Sequence, residues 1–431
     1  MSKNLLIKNA RIIDPKSKTD KSGSILVKDG VIADIAFENE LIAPLNTEII
    51  DANGLILAPG LIDTRVFTGE PGHEYRETLE SASNAAAAGG VTSFICMPDT
   101  SPIIDDAALV DFIIRRAKAT SKVNILPAAA ITKGLRGEQI SEFGLLKEAG
   151  AVCFSDGRFS LSSTATLRSA FSYAANFDMP IVNHLHDKGL GEAGVVNEGL
   201  MATGLGLKGI PEEAETIPLE RDLQLAALCE VKYHGAQLSC DASVKIMERH
   251  KKTNKNISCG VSINNLCLNE NDIGSYRTFF KLAPPLRSEE NRQALVNGLN
   301  EGIIDIIHSS HDPQDVEVKR QPFAKAGDGA IGLETMLSAA LRLYHSEQCD
   351  LITIFSCLTC NPARIFSLNA GSLEIGAKAD MILLDLNYPW VVNEKDLHSN
   401  SKNTVFEQAK FSGKVMETFV GGEKVYSFKG K

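Results

Sequence analysis

Eight short apolar runs, separated by stretches with helical periodicity, occupy the middle of this 431-residue chain. They span residues 61–67, 91–97, 123–130, 151–155, 180–184, 236–240, 257–263 and 303–310. A strand buried on both faces reads as a continuous apolar run, and an intervening helix lets successive strands pair in parallel. Helical patterns fill the intervals at 76–88, 105–119, 164–176, 219–228, 243–250 and 289–297. Eight such units predict an α/β protein whose strands close into a (β/α)8, or TIM, barrel. A doubly wound open sheet is the competing arrangement.

The two ends of the chain have a different texture. The segments 5–13, 23–27, 31–35 and 49–51 read with the two-residue period of half-buried strands, and a similar texture returns at 381–385, 415–420 and 424–426. Turn pairs such as Asp14-Pro15, Asn53-Gly54 and Gly421-Gly422 punctuate them. Both termini therefore predict one small β domain, residues 1–55 and 369–431, with the barrel of residues 56–368 inserted between. Two connections, 185–218 and 264–288, are long for a compact domain and are expected to serve function or an interface.

Forty-four basic residues face 54 acidic ones, a net charge of -10, and no basic stripe stands out. That argues against nucleic acid or an anionic membrane surface as partner. No apolar stretch approaches the ~20 residues of a membrane span, and the start at Met1 lacks the apolar run of a signal peptide. Nine scattered cysteines, an odd number, are expected to be reduced thiols of a cytoplasmic protein. Cys357 and Cys360 form a lone CxxC with no second pair, which predicts a structural helix-end pair. Gly204, Gly206 and Gly209 match dinucleotide-fingerprint spacing, yet no strand precedes them and Pro211 follows, so they imply no phosphate cradle.

Function in a barrel is read at the C-terminal ends of its strands. Those ends carry Asp63, Arg65 and Phe67; Asp99 and Ser101; Asp156; His184, His186 and Asp187; Gln237; Asn264 and Asn265; and Ser310 with His311. Around them stand Pro59-Gly60-Leu61-Ile62-Asp63, Glu70-Pro71-Gly72, Asn197-Glu198-Gly199, Pro284-Pro285-Leu286-Arg287, Gly332-Leu333-Glu334 and Asn361-Pro362-Ala363-Arg364, in that order. With these strings the chain resembles the amidohydrolase superfamily from end to end, most of all the bacterial dihydroorotases. The resemblance implies a (β/α)8 barrel with a small β-sandwich from both termini. It also implies a place in pyrimidine biosynthesis and zinc-dependent hydrolysis of a cyclic amide, dihydroorotate plus water giving carbamoyl aspartate. In such a site the metal lowers the pKa of bound water to about 7 and polarises the carbonyl, while an Asp handles the proton.

The departures from that family are specific. The His-x-His positions of the first strand hold Arg65 and Phe67, the sixth-strand His position holds Gln237, and Ser310 replaces the catalytic Asp. Only Asp156 and His184 keep a metal-ligand residue type. Gly69 stands where the family has the Arg that clamps the substrate carboxylate, Asp99 and Ser101 where it has Asn, and Asn264-Asn265 where it has paired His. His311 matches and is expected to contact a ligand. Zinc needs about four donors, or three plus water, so no metal and no other cofactor is expected. Asp156 is expected to pair with Arg65, and His73 and Asp99 to be loop or surface residues. His186, His308 and Asp187 could supply an alternative zinc site. Three readings follow from the resemblance. One is a catalytically inactive assembly subunit for aspartate transcarbamoylase, itself a homo-oligomer. Another is an active dihydroorotase or related hydrolase with an atypical zinc site. The third is a binding module for a pyrimidine intermediate.

Overall fold

Residues 4–37, 40–191 and 193–430 are described by the computed structural model. Residues 1–3, on which the expectation of no signal peptide rests, lie outside them. The N-terminal segment forms five strands. They are β1 (Asn4–Asp14), β2 (Thr19–Lys28), β3 (Val31–Ala36), β4 (Thr47–Asp51) and β5 (Ile56–Pro59). β1 and β5 are mostly buried, and the start of β2 and most of β4 are more exposed. β1 is their hub: it pairs antiparallel with β2, with Leu5 opposite Val27 and Ile7 opposite Ile25, and parallel with β4 and β5. The register slips between Ile7 and Ala10, where Asn9 takes φ +56°. An Asn tolerates that left-handed backbone better than a branched residue would.

After a one-residue break at Gly60 come the barrel strands β6 (Leu61–Val66), β7 (Val91–Cys96), β8 (Asn124–Ala129), β9 (Cys153–Ser155) and β10 (Ile181–Asn183). A small pair, β11 (Val196–Asn197) and β12 (Gly209–Ile210), stands apart. β13 (Tyr233–Leu238), β14 (Ile257–Ser262) and β15 (Ile306–His308) then complete the barrel. Neighbours pair in parallel in chain order from β6 to β15. The ring is nearly closed by a bridge between Val66 and His311, where the Phe67 N–H donates to the His311 carbonyl at 2.9 Å. The strands are therefore arranged as a barrel, not as an open doubly wound sheet. Ile95, Ala128, Cys153, Val182, Ala236 and Ile306 form one buried cluster drawn from successive strands. A second, larger cluster packs the strands against the surrounding helices.

Those helices start where side chains satisfy their first amides. Thr78 and Ser81 form a capping box for Leu79–Ala88, and Asp106, Ser163 and Ser288 cap Ala107–Thr120, Thr164–Ala174 and Glu289–Asn300. The helix expected at 219–228 runs over Glu213–Cys229, passing through Pro218, because Ala214, Glu215 and Leu219 extend its buried face. The chain then returns to the terminal sheet as β16 (Met381–Val391), β17 (Lys410–Val420) and β18 (Glu423–Ser427). β16 pairs with β5, which joins both ends of the chain in one eight-stranded sheet with its own core of Leu5, Ile7, Ile25, Leu57, Met381 and Phe419.

The two long connections are stapled to each other. Arg287 donates to the Asn197 side chain at 2.9 Å and to the Ile210 carbonyl at 2.7 Å, and Asn197 donates to Glu270 at 2.7 Å. Gly206, at φ +62°, ends the short helix Leu200–Leu205. Cys357 and Cys360 lie in consecutive helices, Leu351–Leu358 and Cys360–Ile365, and all nine cysteines are free thiols. Among the described residues no helix is long and apolar enough to cross a membrane.

Candidate functional site

A cavity of about 230 Å³ opens at the C-terminal ends of the barrel strands. Arg65, Phe67, Asp99, His184, Gln237, Asn264, Ser310 and His311 all line it. The chain thus brings eight of the residues singled out from sequence to one place. Gly69, Ser101, Asp156 and Asn265 do not line it. Asn265 lies just behind, accepting from Gln237 at 3.4 Å and donating to the Pro285 carbonyl at 3.1 Å.

Asp156 corrects the expected ion pair. One of its oxygens accepts the amides of Ile131 (2.8 Å) and Thr132 (3.0 Å), and the other accepts the Thr132 hydroxyl at 2.6 Å. The carboxylate is consumed by the turn after β8, and no ion pair joins it to Arg65 among the described residues. Burial pushes it up to about 6, against the pull of those hydrogen bonds. Asp99 lies in the loop after β7, as expected, yet its side chain is only 6% exposed and accepts from Arg158 Nε at 2.9 Å. His73 does sit in a loop, its ring 6.2 Å from that of Phe67.

The charged wall of the cavity was not foreseen. Arg76 donates to Asp312 at 2.6 Å and to the Pro313 carbonyl at 2.7 Å, and Arg158 reaches the same Asp312 at 3.4 Å. Both guanidiniums face the Phe67 ring, at 4.2 and 5.4 Å from its centroid. Arg158 is held above its usual range, chiefly by Asp312. A signal existed in sequence: Arg158 follows the fourth strand directly, and Asp312 follows the eighth.

Arg65 itself is half-buried. Its two terminal nitrogens share only the Gly157 carbonyl, each at 3.4 Å, and burial lowers its pKa from the usual value. His184 is buried, with its Nδ1 lacking any hydrogen-bond partner. Burial and then the charge of Arg65 hold it well below the usual histidine range, so the imidazole is neutral. Ser310, at φ +52°, donates to Gln237 at 3.3 Å. His311 does not present its ring to a ligand: its Nδ1 accepts the Gly332 amide at 3.3 Å and its Nε2 lies 3.4 Å from Glu77, with both side chains 0% exposed. Gly69 takes φ +70°, and a Cβ there would stand 2.4 Å from the Glu77 carbonyl.

These side chains do not fit zinc. Phe67 offers no donor, Arg65 brings a fixed positive charge, and both oxygens of Asp156 are engaged in hydrogen bonds to the turn after β8. Among the described residues no group of three or more His, Cys, Asp or Glu side chains is placed to hold a metal ion. The alternative set does not assemble either. His308 turns into the barrel, its Nε2 3.1 Å from the Ala236 carbonyl, while Asp187 takes the Leu190 amide at 3.0 Å.

With this geometry in place, known proteins can be compared. The Dihydro-orotase-like family matches residues 54–243. A protein named dihydroorotase from Citrifermentans bemidjiense is 40% identical over 423 residues, covering 98% of this chain and 99% of that one. Another so named, from Ehrlichia canis, is 40% identical and covers 97% and 94%. The chain belongs to the dihydroorotase family. Its fold is that of the wider amidohydrolase superfamily. The L-hydantoinase of Arthrobacter aurescens superposes with a TM-score of 0.89 at 26% identity, over 99% of this chain and 96% of that one. Membership in the dihydroorotase family makes the contents of the barrel mouth the more informative feature. The protein keeps the family's barrel and the sheet from its two termini, and it fills the reactive end with a guanidinium and a phenyl ring.

Proposed function

We propose that this dihydroorotase-family chain serves pyrimidine biosynthesis in the cytoplasm without catalysing the reaction, as a non-catalytic assembly subunit for aspartate transcarbamoylase. One observation carries the first half. Arg65 and Phe67 occupy the His-x-His positions while Asp156 is turned into the β8 turn, so the centre lacks donors for a hydrolytic metal. Ser310 in place of an Asp removes the carboxylate from that strand end, and Asp99 and Asp312 in the same cavity are paired with arginines. The partner rests on the family resemblance, and the intact barrel and sheet supply the scaffold such a role needs.

Three measurements test this reading. Elemental analysis of chelator-free protein is expected to find well under one zinc per chain. Dihydroorotate turnover is expected at the level of a buffer blank. The chain and aspartate transcarbamoylase are expected to co-elute in gel filtration as one larger species. Stoichiometric zinc with robust turnover, lost in both Asp156→Ala and His184→Ala, would instead make the chain an active enzyme with an atypical site. Separate elution of the two proteins would remove the assembly role.

A further inference from the structure

The flank of the molecule carries a second and larger hollow that shares no residue with the cavity at the barrel mouth. It is an open groove of about 890 Å³ between the Trp390 end of the β16–β17 pair and the helices Glu289–Asn300 and Met336–His345. Strand register there sets Trp390 opposite Phe411 and Val391 opposite Lys410. Trp390, the only tryptophan of the chain, is held in place: its Nε1 donates to the Gly413 carbonyl at 3.0 Å, and Lys414 Nζ lies 3.6 Å from its ring centroid. An indole fixed in orientation, yet left partly in water on a groove wall, is a preformed stacking surface. The cations beside it are unneutralised. Arg342 lies 4.4 Å from the Phe411 ring centroid and donates only to the Lys410 carbonyl, at 3.3 Å, so its guanidinium has donors to spare. Neither Arg342 nor Lys410 has a carboxylate within ion-pairing distance among the described residues. Glu289 is taken by Arg292 at 2.6 Å, which leaves Asp272 as the groove's one described carboxylate without a cation. Two free cations against one carboxylate make the groove positive, in a chain of net charge -10.

We infer that this groove binds a nucleoside phosphate, its flat base against Trp390 and its phosphate on Arg342 and Lys410. Nucleobases stack on aromatic side chains whatever their sequence identity, because every base has a π-face. A phosphate monoester carries about -1.5 to -2 charges, which two cations match, and a guanidinium offers it paired N–H donors. The hydroxyls of Ser346 and Ser412 line the same groove and suit a sugar. At about 890 Å³ the space falls inside the roughly 300–1,000 Å³ range of small-molecule sites. A bare anion would leave the indole in water, and a neutral ring would leave both cations without a counter-charge. Only a ligand that joins a ring to an anion uses both halves of the groove. The site is independent of whether the barrel mouth is catalytic.

Because Trp390 is the only tryptophan, the fluorescence of the full chain excited at the red edge of indole absorption reports this groove alone. Uridine monophosphate, adenosine monophosphate, uridine and inorganic phosphate are titrated in turn. Free N-acetyltryptophanamide corrects for light absorbed by the bases, and calorimetry repeats each titration. Saturable quenching by at least one of the two nucleotides is expected, with uridine and phosphate each weaker by about tenfold or more, since each lacks one of the two contacts. Arg342→Gln is expected to weaken nucleotide binding about tenfold or more. That variant also disturbs packing on Phe411, so Lys410→Glu, at an exposed side chain without an ion-pair partner, keeps the test readable should it fold poorly. It is expected to weaken binding at least as much. No saturable change in fluorescence or heat with either nucleotide overturns the inference. Phosphate or uridine binding as tightly as the nucleotides does so too, as does equal affinity in Lys410→Glu and the parent.

Discussion

Phe67 shows how a side chain that offers no metal donor can form a packing seat. Its ring is 4% exposed and lies against Arg76 and Arg158, so two cations rest on the face of a residue that offers no metal donor. Phe67→Leu keeps much of the volume and loses that face; a drop of about 1–2 kcal/mol in unfolding free energy is expected by urea denaturation. An unchanged midpoint would mean the guanidiniums are held by Asp99 and Asp312 alone. Asp156 makes a sharper case. Asp156→Ala orphans the amides of Ile131 and Thr132 and is expected to cost roughly 1–3 kcal/mol. Asp156→Asn keeps an oxygen for both amides and can donate to the Thr132 hydroxyl, so it is expected to cost under about 1 kcal/mol. Equal losses in the two variants would contradict that hydrogen-bond assignment. The residues at 65, 67, 237 and 310 were legible in sequence because each sits at or just beyond the C-terminal end of a strand. The direction of the Asp156 side chain was not, since its partners lie 24 and 25 residues away on another turn.

Elements were legible where the pattern was continuous. All eight barrel strands overlap the apolar runs, because both faces of each strand are packed. β13 begins at Tyr233, three residues ahead of its expected start. The buried Tyr233 hydroxyl reaches Asp222 at 2.9 Å, a partner on the preceding helix that a strand pattern does not reveal. β5 is not among the expected strands, and its residues fall in the expected barrel, although they join the terminal sheet; only Gly60 separates it from β6, and a Cβ there would meet Thr92 Oγ1 at 2.1 Å. The loop after β6 gives the test at this scale. Reinstating the clamp with Gly69→Arg would place a side chain on φ +70° backbone, against the carbonyls of Glu77 and His73 at 2.4 and 2.6 Å. Glu77 is itself a buried hub, accepting the Ser81 and Ser399 hydroxyls and the Asn400 amide. The variant is expected to lose roughly 1–3 kcal/mol by thermal unfolding and to gain no turnover. A variant as stable as the parent would show that this loop rearranges freely.

The whole molecule carries the balance of buried titratable groups, which sets how stability depends on pH. His184 and His308 are held well below the usual histidine value of 6.5 and His234 is pushed down to about 3, each mainly by burial. From pH 6.5 downward the unfolded chain binds protons at these three positions that the folded chain refuses, so acid destabilises the fold. Asp63 and Asp156, pushed up to about 6 from 3.8, act in the opposite sense. Between pH 6 and 4 the folded chain holds protons that the unfolded one releases, and this contribution is fully present below 3.8 and lost as pH rises through 6. Asp222, also raised by burial, makes three such carboxylates against three histidines. The unfolded histidines take up protons from 6.5, ahead of the carboxylates, and Glu77 and Glu220, held low, add to the loss in acid, so unfolding free energy is expected to fall from pH 7 toward 5. Asp156→Asn removes one opposing proton, so its fall should be steeper than the parent's by up to about 1.4 kcal/mol per pH unit. Urea titrations of parent and variant at pH 7, 6 and 5 decide the point. A parent that gains stability toward pH 5, or a variant with the parent's slope, would mean that the buried carboxylates outweigh the imidazoles or do not titrate there. The sequence placed His184 and His308 near strand ends but did not single out His234, and it did not reveal this balance, because their burial depends on how the strands pack in the closed barrel.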